Sequence, residues 1–360
     1  MSEQQGDRPA APEARDAAPP KGVTREAVDW GFKLLAGRAP VSPAEFEAFK
    51  ALPNLNALRR AFTNTESFHE FFDSILNGYP SYTVPLFLIR PPATAALDWR
   101  FAPPDLEHPG SQLCTAAQFA DPAFSEIIEA MGLRPARTRA KWEHAWMVSV
   151  LATAGLIEPG RRGLAIDAGR ERVASLVASR GVEVLAIGSE TGDERSIEAR
   201  RSRLFYPEMV HIEEFDRLVR FAAFEPTAIG SFPAASMDFC FSFGMPGRLR
   251  SIEATLAFLE ASLVPLRPGG LALHCLDFNL SSDKTTWELP NLVILRRCDI
   301  EALAERLAPA GHSILTFNTH PGAEQMDEQV SAPPTSTRGH RQRHGLVVAT
   351  SFGLAIRKAG

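Results

Sequence analysis

Cysteine is scarce in this sequence and follows no pattern. The 360 residues contain four cysteines, Cys114, Cys240, Cys275 and Cys298, with no C-x-x-C pair and no histidine at the spacing of a metal ligand. Zinc sites and disulfide frameworks both require clustered or regularly spaced cysteines. The scarcity excludes a disulfide-stapled scaffold. It predicts no metal site, and it predicts buried thiols in a reducing compartment.

Long apolar runs are missing as well. The longest one, Tyr82 to Ile89, is much shorter than the ~20 residues that span a bilayer. Residues 1–22 lack the apolar centre of a signal peptide. We therefore expect no membrane span and a cytoplasmic location.

An excess of positive charge is also absent. The chain has 38 Lys and Arg against 43 Asp and Glu, a formal net charge of -5. Proteins that bind nucleic acids usually carry a basic excess, so no nucleic-acid partner is expected. Hydrophobic residues, in contrast, make up 45% of the sequence, which suffices for about two domains with real cores.

Composition divides the chain into four parts. Residues 1–22 combine Pro, Ala, Glu and Arg with little to bury, which predicts a disordered tail. Residues 23–78 show helical periodicity and predict a small all-helical module. Residues 79–110 hold one β-like run and many prolines, which predicts a linker or a loop draped over a neighbour; we place the domain boundary here. Residues 111–360 are predicted to form one α/β domain.

The helical module shows local start signals. Thr24 can cap a first helix, and Ser42-Pro43-Ala44-Glu45 is a capping box with proline at the first helical position. A last helix is predicted with Phe68, Phe71, Phe72 and Ile75 on one face.

After Gly163, short apolar runs alternate with amphipathic helices. Fully apolar strands are typical of parallel sheets that are covered on both faces. The fold class is therefore predicted as α/β, with an open, mainly parallel, doubly wound sheet preceded by the helical domain. In such a sheet the ligand lies beyond the carboxyl ends of the strands. The predicted strands are LAIDAG, VEVLAIG, RLVRFAAF, MDFCFSFG, LALHCLDF, SILTFNT and LVVATSFGLAIRK.

The first predicted strand-to-helix turn is AIDAGRERV, with Gly169 as its single glycine. This is not the G-x-G-x-x-G fingerprint of dinucleotide binding, and no ribose-binding acid follows it. A nicotinamide-dependent oxidoreductase therefore ranks last among the candidate functions.

Taken together, the segments GLAIDAG, RGVEVLAIG, FEPTAI, MDFCFS and LEASLVPLRPGGLALHCLDFN resemble the class I S-adenosylmethionine-dependent methyltransferases. The passage from Leu266 to Leu273 is the most specific piece, since in that family such a segment begins the fifth strand. The resemblance covers about Gln112 to the C-terminus, in a bacterial subgroup of which some members are encoded beside surface-glycan genes. It implies a Rossmann-like fold and S-adenosylmethionine as cofactor. The helical module resembles, more loosely, a domain of unknown function from glycan-related bacterial proteins.

The family places an acidic residue and spaced glycines, D/E-x-G-x-G-x-G, on the first turn. One register puts Asp167, Gly169 and Glu171 at the three glycine positions; we favour it because it preserves the helix length. A second register makes Asp167 the acidic residue and shortens the loop at Arg170. In the first, a carboxylate lies beside the cofactor's carboxylate, which at ~4 Å costs on the order of 4 kcal/mol at an effective dielectric of 20.

Further cofactor-binding positions follow from the resemblance. Gly188 stands where the family has an acid for the ribose hydroxyls, and Glu190 or Asp193 can substitute for it. Glu225 falls at the position of the adenine-contacting acid, although a solvated loop carboxylate is an equal interpretation. Ser242 ends the next strand. Trp142 lies on the helix before the sheet, where an aromatic wall over the cofactor competes with a core position.

Candidates for acid or base chemistry lie on the strand LHCLDFN. Residues near the carboxyl end of a strand face the ligand crevice, which favours Asp277 and Asn279. His274 is a third candidate, although a hydrogen-bonded core histidine is the favoured interpretation. Asp277 can accept the proton that a hydroxyl acceptor loses on methylation.

The leading hypothesis is a cytoplasmic S-adenosylmethionine-dependent methyltransferase acting on a small-molecule or glycan-linked acceptor. The alternative is a catalytically silent member of the fold that binds or scaffolds, with residues 23–78 docking a protein partner. The acid at Asp167 and the missing acid at Gly188 favour the alternative. So does the segment FGMPGRLRS after the strand with Ser242, because the subgroup often has an acidic-histidine segment there.

Overall fold

The computed structural model describes residues 22–36, 39–65, 68–69, 82–189, 195–331, 339–344 and 347–360. Contacts divide the chain into two compact units, residues 1–80 and 81–360. Most of the predicted last helix of the helical module, including Phe71, Phe72 and Ile75, lies outside the described residues.

The N-terminal unit is helical, and its described helices are α1 (Arg25–Gly31), which continues as a π-helical turn over Phe32–Ala36, α2 (Pro43–Lys50) and α3 (Leu55–Thr63). Both predicted caps form. The Thr24 hydroxyl accepts from the N–H of Ala27 at 3.1 Å, and the Ser42 hydroxyl accepts from that of Glu45 at 3.2 Å. A small cluster that includes Phe32, Phe46 and Phe62 forms its core.

The second unit begins earlier than the sequence suggested. Residues 82–110 are not a linker, because Leu88 and Leu106 are buried in the cores of this unit. The Thr319 hydroxyl donates to the Leu88 carbonyl at 2.6 Å. The predicted β-like run is also not a strand. Pro85 has no N–H for a strand ladder and caps a short helix, Leu86–Ile89, instead.

The helices of the second unit follow the predicted alternation. The described ones are α4 (Leu86–Ile89), α5 (Pro122–Ala130), α6 (Arg139–Thr153), α7 (Val173–Ala178), α8 (Arg195–Ser202), α9 (Ile212–Leu218), α10 (Ile252–Ala261), α11 (Arg297–Leu307) and α12 (Gln325–Glu328).

The strands of the described residues form one 13-stranded sheet. They are β1 (Trp99–Arg100), β2 (Ser111–Leu113), β3 (Arg162–Ile166), β4 (Glu183–Gly188), β5 (Val219–Ala223), β6 (Met237–Phe243), β7 (Leu266–Asn279), β8 (Glu288–Leu289), β9 (Leu292–Leu295), β10 (Ser313–Ile314), β11 (Phe317–Asn318), β12 (Arg341–His344) and β13 (Val347–Arg357).

The centre of the sheet is parallel and has the order β5-β4-β3-β6-β7. Numbered along the chain, this is the 3-2-1-4-5 order of doubly wound nucleotide-binding folds. β13 then pairs antiparallel with β7. The chain winds outward from β3 to β5 and returns to β6 on the other side of β3. The topological switch point therefore lies between β3 and β6.

Helices cover both faces of this sheet. Ala165 of β3 packs into a core with Trp142 and Trp146 of α6. Its neighbours Leu164 and Ile166 pack into the opposite core, which Leu259 of α10 shares. Successive strand residues thus face opposite cores, as the apolar runs require. The predicted fold class is confirmed. No described helix is both long and apolar enough to span a membrane.

Candidate functional site

The crevice at the switch point begins directly after β3. Asp167 has φ of 55°, in the left-handed region that glycine adopts without strain. This conformation suits the register that puts Asp167 at a glycine position of the family pattern. The Asp167 carboxylate lies within 2.5 Å of the Arg248 guanidinium, measured from Oδ2 to Nη2. Arg248 follows β6, so one ion pair joins the two loops that flank the switch point.

The same turn holds a second carboxylate. The Gly169 N–H donates to Oε2 of Glu171 at 2.6 Å. Burial raises the pKa of Glu171, with the nearby Asp167 acting in the same direction and Arg248 opposing it. Two carboxylates and one guanidinium therefore meet at this turn. Arg170, on the same turn, is exposed. Its backbone carbonyl accepts a hydrogen bond from the Tyr206 hydroxyl at 2.7 Å.

The end of β4 is covered by an arginine. Gly188 is buried, and a Cβ there would lie 2.9 Å from Nη1 of Arg200. Arg200 donates to the Ser189 carbonyl at 2.7 Å and stacks on the Phe221 ring with Cζ 5.5 Å from the centroid. Glu190 and Asp193, the predicted substitutes for a ribose-binding acid, lie outside the described residues.

Glu225 follows β5 and stays exposed. Its carboxylate accepts from the Thr227 hydroxyl at 3.0 Å. A hydrogen bond from the Ser189 side chain lowers the pKa of Glu225, and the hydrogen bonds from Thr227 lower it further by a smaller amount. The loops after β4 and β5 therefore come together at this carboxylate.

His274 and Ser242 lie in the core rather than in the crevice. Nδ1 of His274 is 2.8 Å from the Ser242 hydroxyl, and its Nε2 is 3.0 Å from the Ser262 hydroxyl. The ring has no exposed surface, and burial lowers its pKa to about 3. Both ring nitrogens are occupied inside the protein, so neither His274 nor Ser242 is available to a ligand. For His274 this agrees with the favoured interpretation as a hydrogen-bonded core histidine and not with its candidate catalytic role. For Ser242 it corrects the expectation of a cofactor-binding role.

Two more predicted residues have structural roles. Trp142 is fully buried, donates from Nε1 to Oε1 of Gln118 at 2.9 Å, and stacks on Trp146. Asn279 is also fully buried, and its Oδ1 accepts from the N–H groups of Ser281 and Ser282 at 2.9 Å. Trp142 is thus a core residue, and Asn279 shapes the loop after β7.

Asp277 is the predicted catalytic residue that does reach the crevice edge. Its side chain is 27% exposed and is paired with Arg139 at the start of α6. Arg139 also donates from Nε to the Ser351 hydroxyl at 2.8 Å. Ser351 is the direct cross-strand partner of Asp277, and its hydroxyl donates to Oε1 of Glu143 at 2.5 Å. Burial raises the pKa of Glu143, and Arg139 opposes that shift.

Helix α6 carries this cluster over the ends of β6 and β7. The His144 ring stacks on the Phe243 ring with centroids 4.7 Å apart. Burial lowers the pKa of His144. Sγ of Cys275, one strand over from Phe243, is 4.0 Å from the Glu143 carbonyl. The acid–base cluster and the charged turn therefore border the same edge of the sheet.

Sequence reasoning missed Arg248, Arg139 and His144. Arg248 lies in FGMPGRLRS, where the family pattern has a different segment, so the resemblance pointed away from it. Its position just past a strand's carboxyl end was the available signal. Within the described part of the chain, no three His, Cys, Asp or Glu side chains are arranged to hold a metal ion.

No protein-family model matches the chain, and no curated protein is significantly similar to it. Several solved structures are similar to it. One is a putative sarcosine dimethylglycine methyltransferase from Galdieria sulphuraria, with TM-score 0.39, 15% identity, and coverage of 61% of this chain and 88% of that one. Another is an S-adenosylmethionine-dependent methyltransferase from Aquifex aeolicus, with TM-score 0.34, 14% identity, and coverage of 68% and 96%.

A third similar structure is phosphoethanolamine N-methyltransferase 2 from Haemonchus contortus in complex with S-adenosyl-L-methionine, with TM-score 0.33 and 15% identity. The match covers 53% of this chain and 41% of that protein, so this chain spans less than half of its length. The strand order and the residues at the switch point, rather than these matches, define the fold and the site.

Proposed function

We propose that the α/β unit binds S-adenosylmethionine at the switch point and methylates a small-molecule acceptor. The observation that carries the proposal is the pairing of side chains from neighbouring loops along one edge of the sheet. Asp167 after β3 pairs with Arg248 after β6, and Ser189 after β4 hydrogen-bonds to Glu225 after β5. Asp167, Arg248 and Glu225 are the groups that suit the cofactor. The cofactor carries an ammonium, a carboxylate and an adenine base, and Asp167, Arg248 and Glu225 supply an acceptor, a donor and a second acceptor for these three groups.

The proposed cofactor site does not contain all the residues that the sequence predicted: Ser242 and Trp142 are left out, and Arg248 is added. Asp167, Gly169 and Glu225 remain in it, together with the backbone around Gly188. When bound, the cofactor supplies an electrophilic methyl group, and catalysis in such reactions comes largely from holding the two reactants in line.

The acceptor is proposed to lie beside Asp277. Arg139 pairs with the Asp277 carboxylate and fixes its orientation. The second carboxylate of the cluster is Glu143, which accepts a hydrogen bond from the Ser351 hydroxyl that Arg139 also contacts. Burial raises the pKa of Glu143, so this carboxylate accepts a proton more readily than an ordinary glutamate does. Asp277 and Glu143 together would hold and accept the proton that a hydroxyl or amine acceptor releases.

Two finer features stay part of this proposal. The acceptor is a small molecule or a glycan-linked group, as the sequence resemblance implies. The location is the cytoplasm, which the four free cysteines favour, because free thiols persist in a reducing compartment.

A catalytically silent binding protein is the second candidate, and the turn itself favours it. Glu171 already occupies the Gly169 N–H, and Arg200 fills the space beside Gly188. The partner surface would be the helical unit, where Trp30 and Leu34, one helical turn apart, are 51% and 64% exposed.

Isothermal titration calorimetry of the full chain with S-adenosylhomocysteine separates the two candidates. This product keeps every recognition group of the cofactor except the methyl group and its charge. Micromolar binding is expected from the methyltransferase proposal. If no heat of binding is measured at millimolar ligand, the silent binding protein becomes the favoured function. The surface around Trp30 and Leu34 would then be tested for binding to protein partners.

A further inference from the structure

We propose that His144 is a further catalytic residue of the methyl transfer and that it accepts the acceptor's proton at Nε2 of its ring. The inference rests on the proposed function and adds to it a proton acceptor from helix α6. The two carboxylates of the cluster already have partners inside the protein. Asp277 pairs with Arg139, and Glu143 accepts from the Ser351 hydroxyl. A group with a free lone pair is the better first contact for a proton.

The His144 ring lies at the switch point. It stacks on Phe243, the last residue of β6, with the centroids 4.7 Å apart and the ring planes at 19°. Arg172, which precedes α7 on the chain segment after β3, is close enough to act on the ring electrostatically. The crevice opens between β3 and β6, so the ring touches one side of it and faces the other. An acceptor that enters the crevice therefore meets this ring.

The hydrogen bond of the ring fixes its tautomer. Nδ1 of His144 lies 2.5 Å from the carbonyl oxygen of Ala140, one turn earlier on α6. A carbonyl oxygen only accepts, so Nδ1 carries the proton and Nε2 of the neutral ring carries a lone pair. Within the described part of the chain, Nε2 takes part in no hydrogen bond. The ring is half-buried, so its free edge stays open to a ligand.

The surroundings of the ring keep it neutral. Burial lowers the pKa of His144, the hydrogen bond to Ala140 opposes this shift, and the Arg172 guanidinium adds to it. Arg172 is itself held in place, because it pairs with Glu208 and donates to the Met131 carbonyl at 2.7 Å. On the other side, β6 presents the uncharged Phe243 ring. His144 therefore stays in the form that accepts a proton at pH values where an ordinary histidine is partly charged.

These features suit the transfer of a methyl group to a hydroxyl. His144 takes the O–H proton at Nε2 while the acceptor oxygen bonds to the methyl carbon and the sulfur keeps the electron pair of the broken carbon–sulfur bond. Nδ1 keeps its hydrogen bond to Ala140 throughout, which holds the ring in line. Arg172 disfavours the charged ring, so the proton then passes to solvent. An oxygen acceptor gains most from such a base, because its lone pair attacks poorly while the proton is attached.

NMR of the full chain with isotope-labelled histidine tests the state of the ring without any ligand. Long-range proton–nitrogen spectra distinguish the two neutral tautomers and the charged ring. At about pH 6.5, where an ordinary histidine is half charged, His144 should be mainly neutral with its proton on Nδ1. The variant His144→Gln assigns the signal by removing it. A proton on Nε2, or a ring that is mainly charged at this pH, would overturn the inference.

Chemical modification tests whether Nε2 faces the crevice. Diethylpyrocarbonate reacts with the bare nitrogen of an accessible neutral imidazole, and peptide mass spectrometry locates the product. His144 should be modified, whereas His274, whose ring nitrogens both have serine partners, should not. Saturating S-adenosylhomocysteine should slow the modification of His144 several-fold. It should leave that of His108 unchanged, since this histidine lies ahead of β2 with a side chain that is 72% exposed.

Calorimetry separates this inference from the proposed function. His144→Gln should bind S-adenosylhomocysteine as wild type does, because the side chain serves the acceptor rather than the cofactor. If S-adenosylhomocysteine binds but His144 is unmodified, or is modified at the same rate with and without it, the inference fails and the proposed function stands. If wild type does not bind S-adenosylhomocysteine, the proposed function fails and the inference fails with it.

Discussion

Oε2 of Glu171 lies 2.6 Å from the backbone nitrogen of Gly169, two residues before it. The turn thus satisfies its own donor with its own carboxylate. Asp167, which the sequence marked as the obstacle to a cofactor carboxylate, is instead paired with Arg248. The repulsive group at this turn is therefore Glu171.

Neutralising Glu171 should strengthen ligand binding. In Glu171→Gln the amide oxygen still accepts from Gly169, but the negative charge beside the ligand's carboxylate is gone. Because the turn is partly exposed and screened, we expect about tenfold tighter binding of S-adenosylhomocysteine, or roughly 1.4 kcal/mol. Calorimetry measures the change. The control is Glu183→Gln, at the opposite end of β4, which should leave the affinity unchanged. Weaker binding by Glu171→Gln would contradict the assignment of Glu171 as the repulsive group.

The same carboxylate predicts a pH dependence of binding. Burial raises the pKa of Glu171, so its neutral form persists above the ordinary range of a glutamate. Affinity for S-adenosylhomocysteine should therefore be greater on the acid side of that pKa and should fall as rising pH ionises Glu171. Titrations at about pH 5 and pH 7.5 test this, because a more acid solution favours the neutral form of a carboxyl group whose pKa is raised. If Glu171→Gln shows an affinity difference of equal size between the two pH values, the pH dependence comes from another group.

His274 predicts a pH dependence of stability. Its pKa is about 3 in the folded chain, against an unfolded value of 6.5. Below 6.5 the unfolded state binds the extra proton, so this contribution to stability is present above that pH and is lost as the pH falls toward 3. At about pH 5 the loss is roughly 2 kcal/mol.

The variant His274→Gln isolates this group from the other titrating residues. Urea unfolding of both proteins at about pH 7.5 and pH 5 should show a stability difference that is smaller at the acid pH by roughly 2 kcal/mol. A difference that stays constant between the two pH values would show that His274 is not the neutral, buried group that its contacts with Ser242 and Ser262 describe.

Gly353 predicts a packing effect beneath the crevice. A Cβ at this position would lie 2.2 Å from Cε2 of Trp146, whose fully buried ring is held by a hydrogen bond from Nε1 to the Gly110 carbonyl. Because the ring has no room to move, Gly353→Ala should destabilise the protein by about 1–3 kcal/mol in urea unfolding. The matched control is Gly230→Ala, whose Cβ would meet Ala261 at an ordinary 3.5 Å. Equal effects of the two substitutions would refute the crowding.

Local signals in the sequence predicted the parts of the structure that depend on neighbours along the chain. The caps at Thr24 and Ser42 form as their residue types require. The alternation of apolar runs and helices gave the doubly wound sheet, because strands buried on both faces must be apolar throughout. Core positions such as Trp142 follow from the same periodicity.

The candidate site was only partly predictable, since its partners are distant in sequence. Arg248 meets Asp167 across 81 residues, and Arg139 meets Asp277 across 138. Hydropathy likewise cannot show that His274 has a serine at each ring nitrogen, or that residues 82–110 pack into the second unit.

The sequence by itself determined the fold class, the helix caps and the edge of the sheet that carries the candidate site, because these depend on periodicity and short-range hydrogen bonds. Only the tertiary structure decided which charges neutralise each other at that edge. Ion pairing depends on distances of a few ångströms between loops that the folded sheet brings together. That pairing replaces a glycine-rich turn with the contact between Asp167 and Arg248.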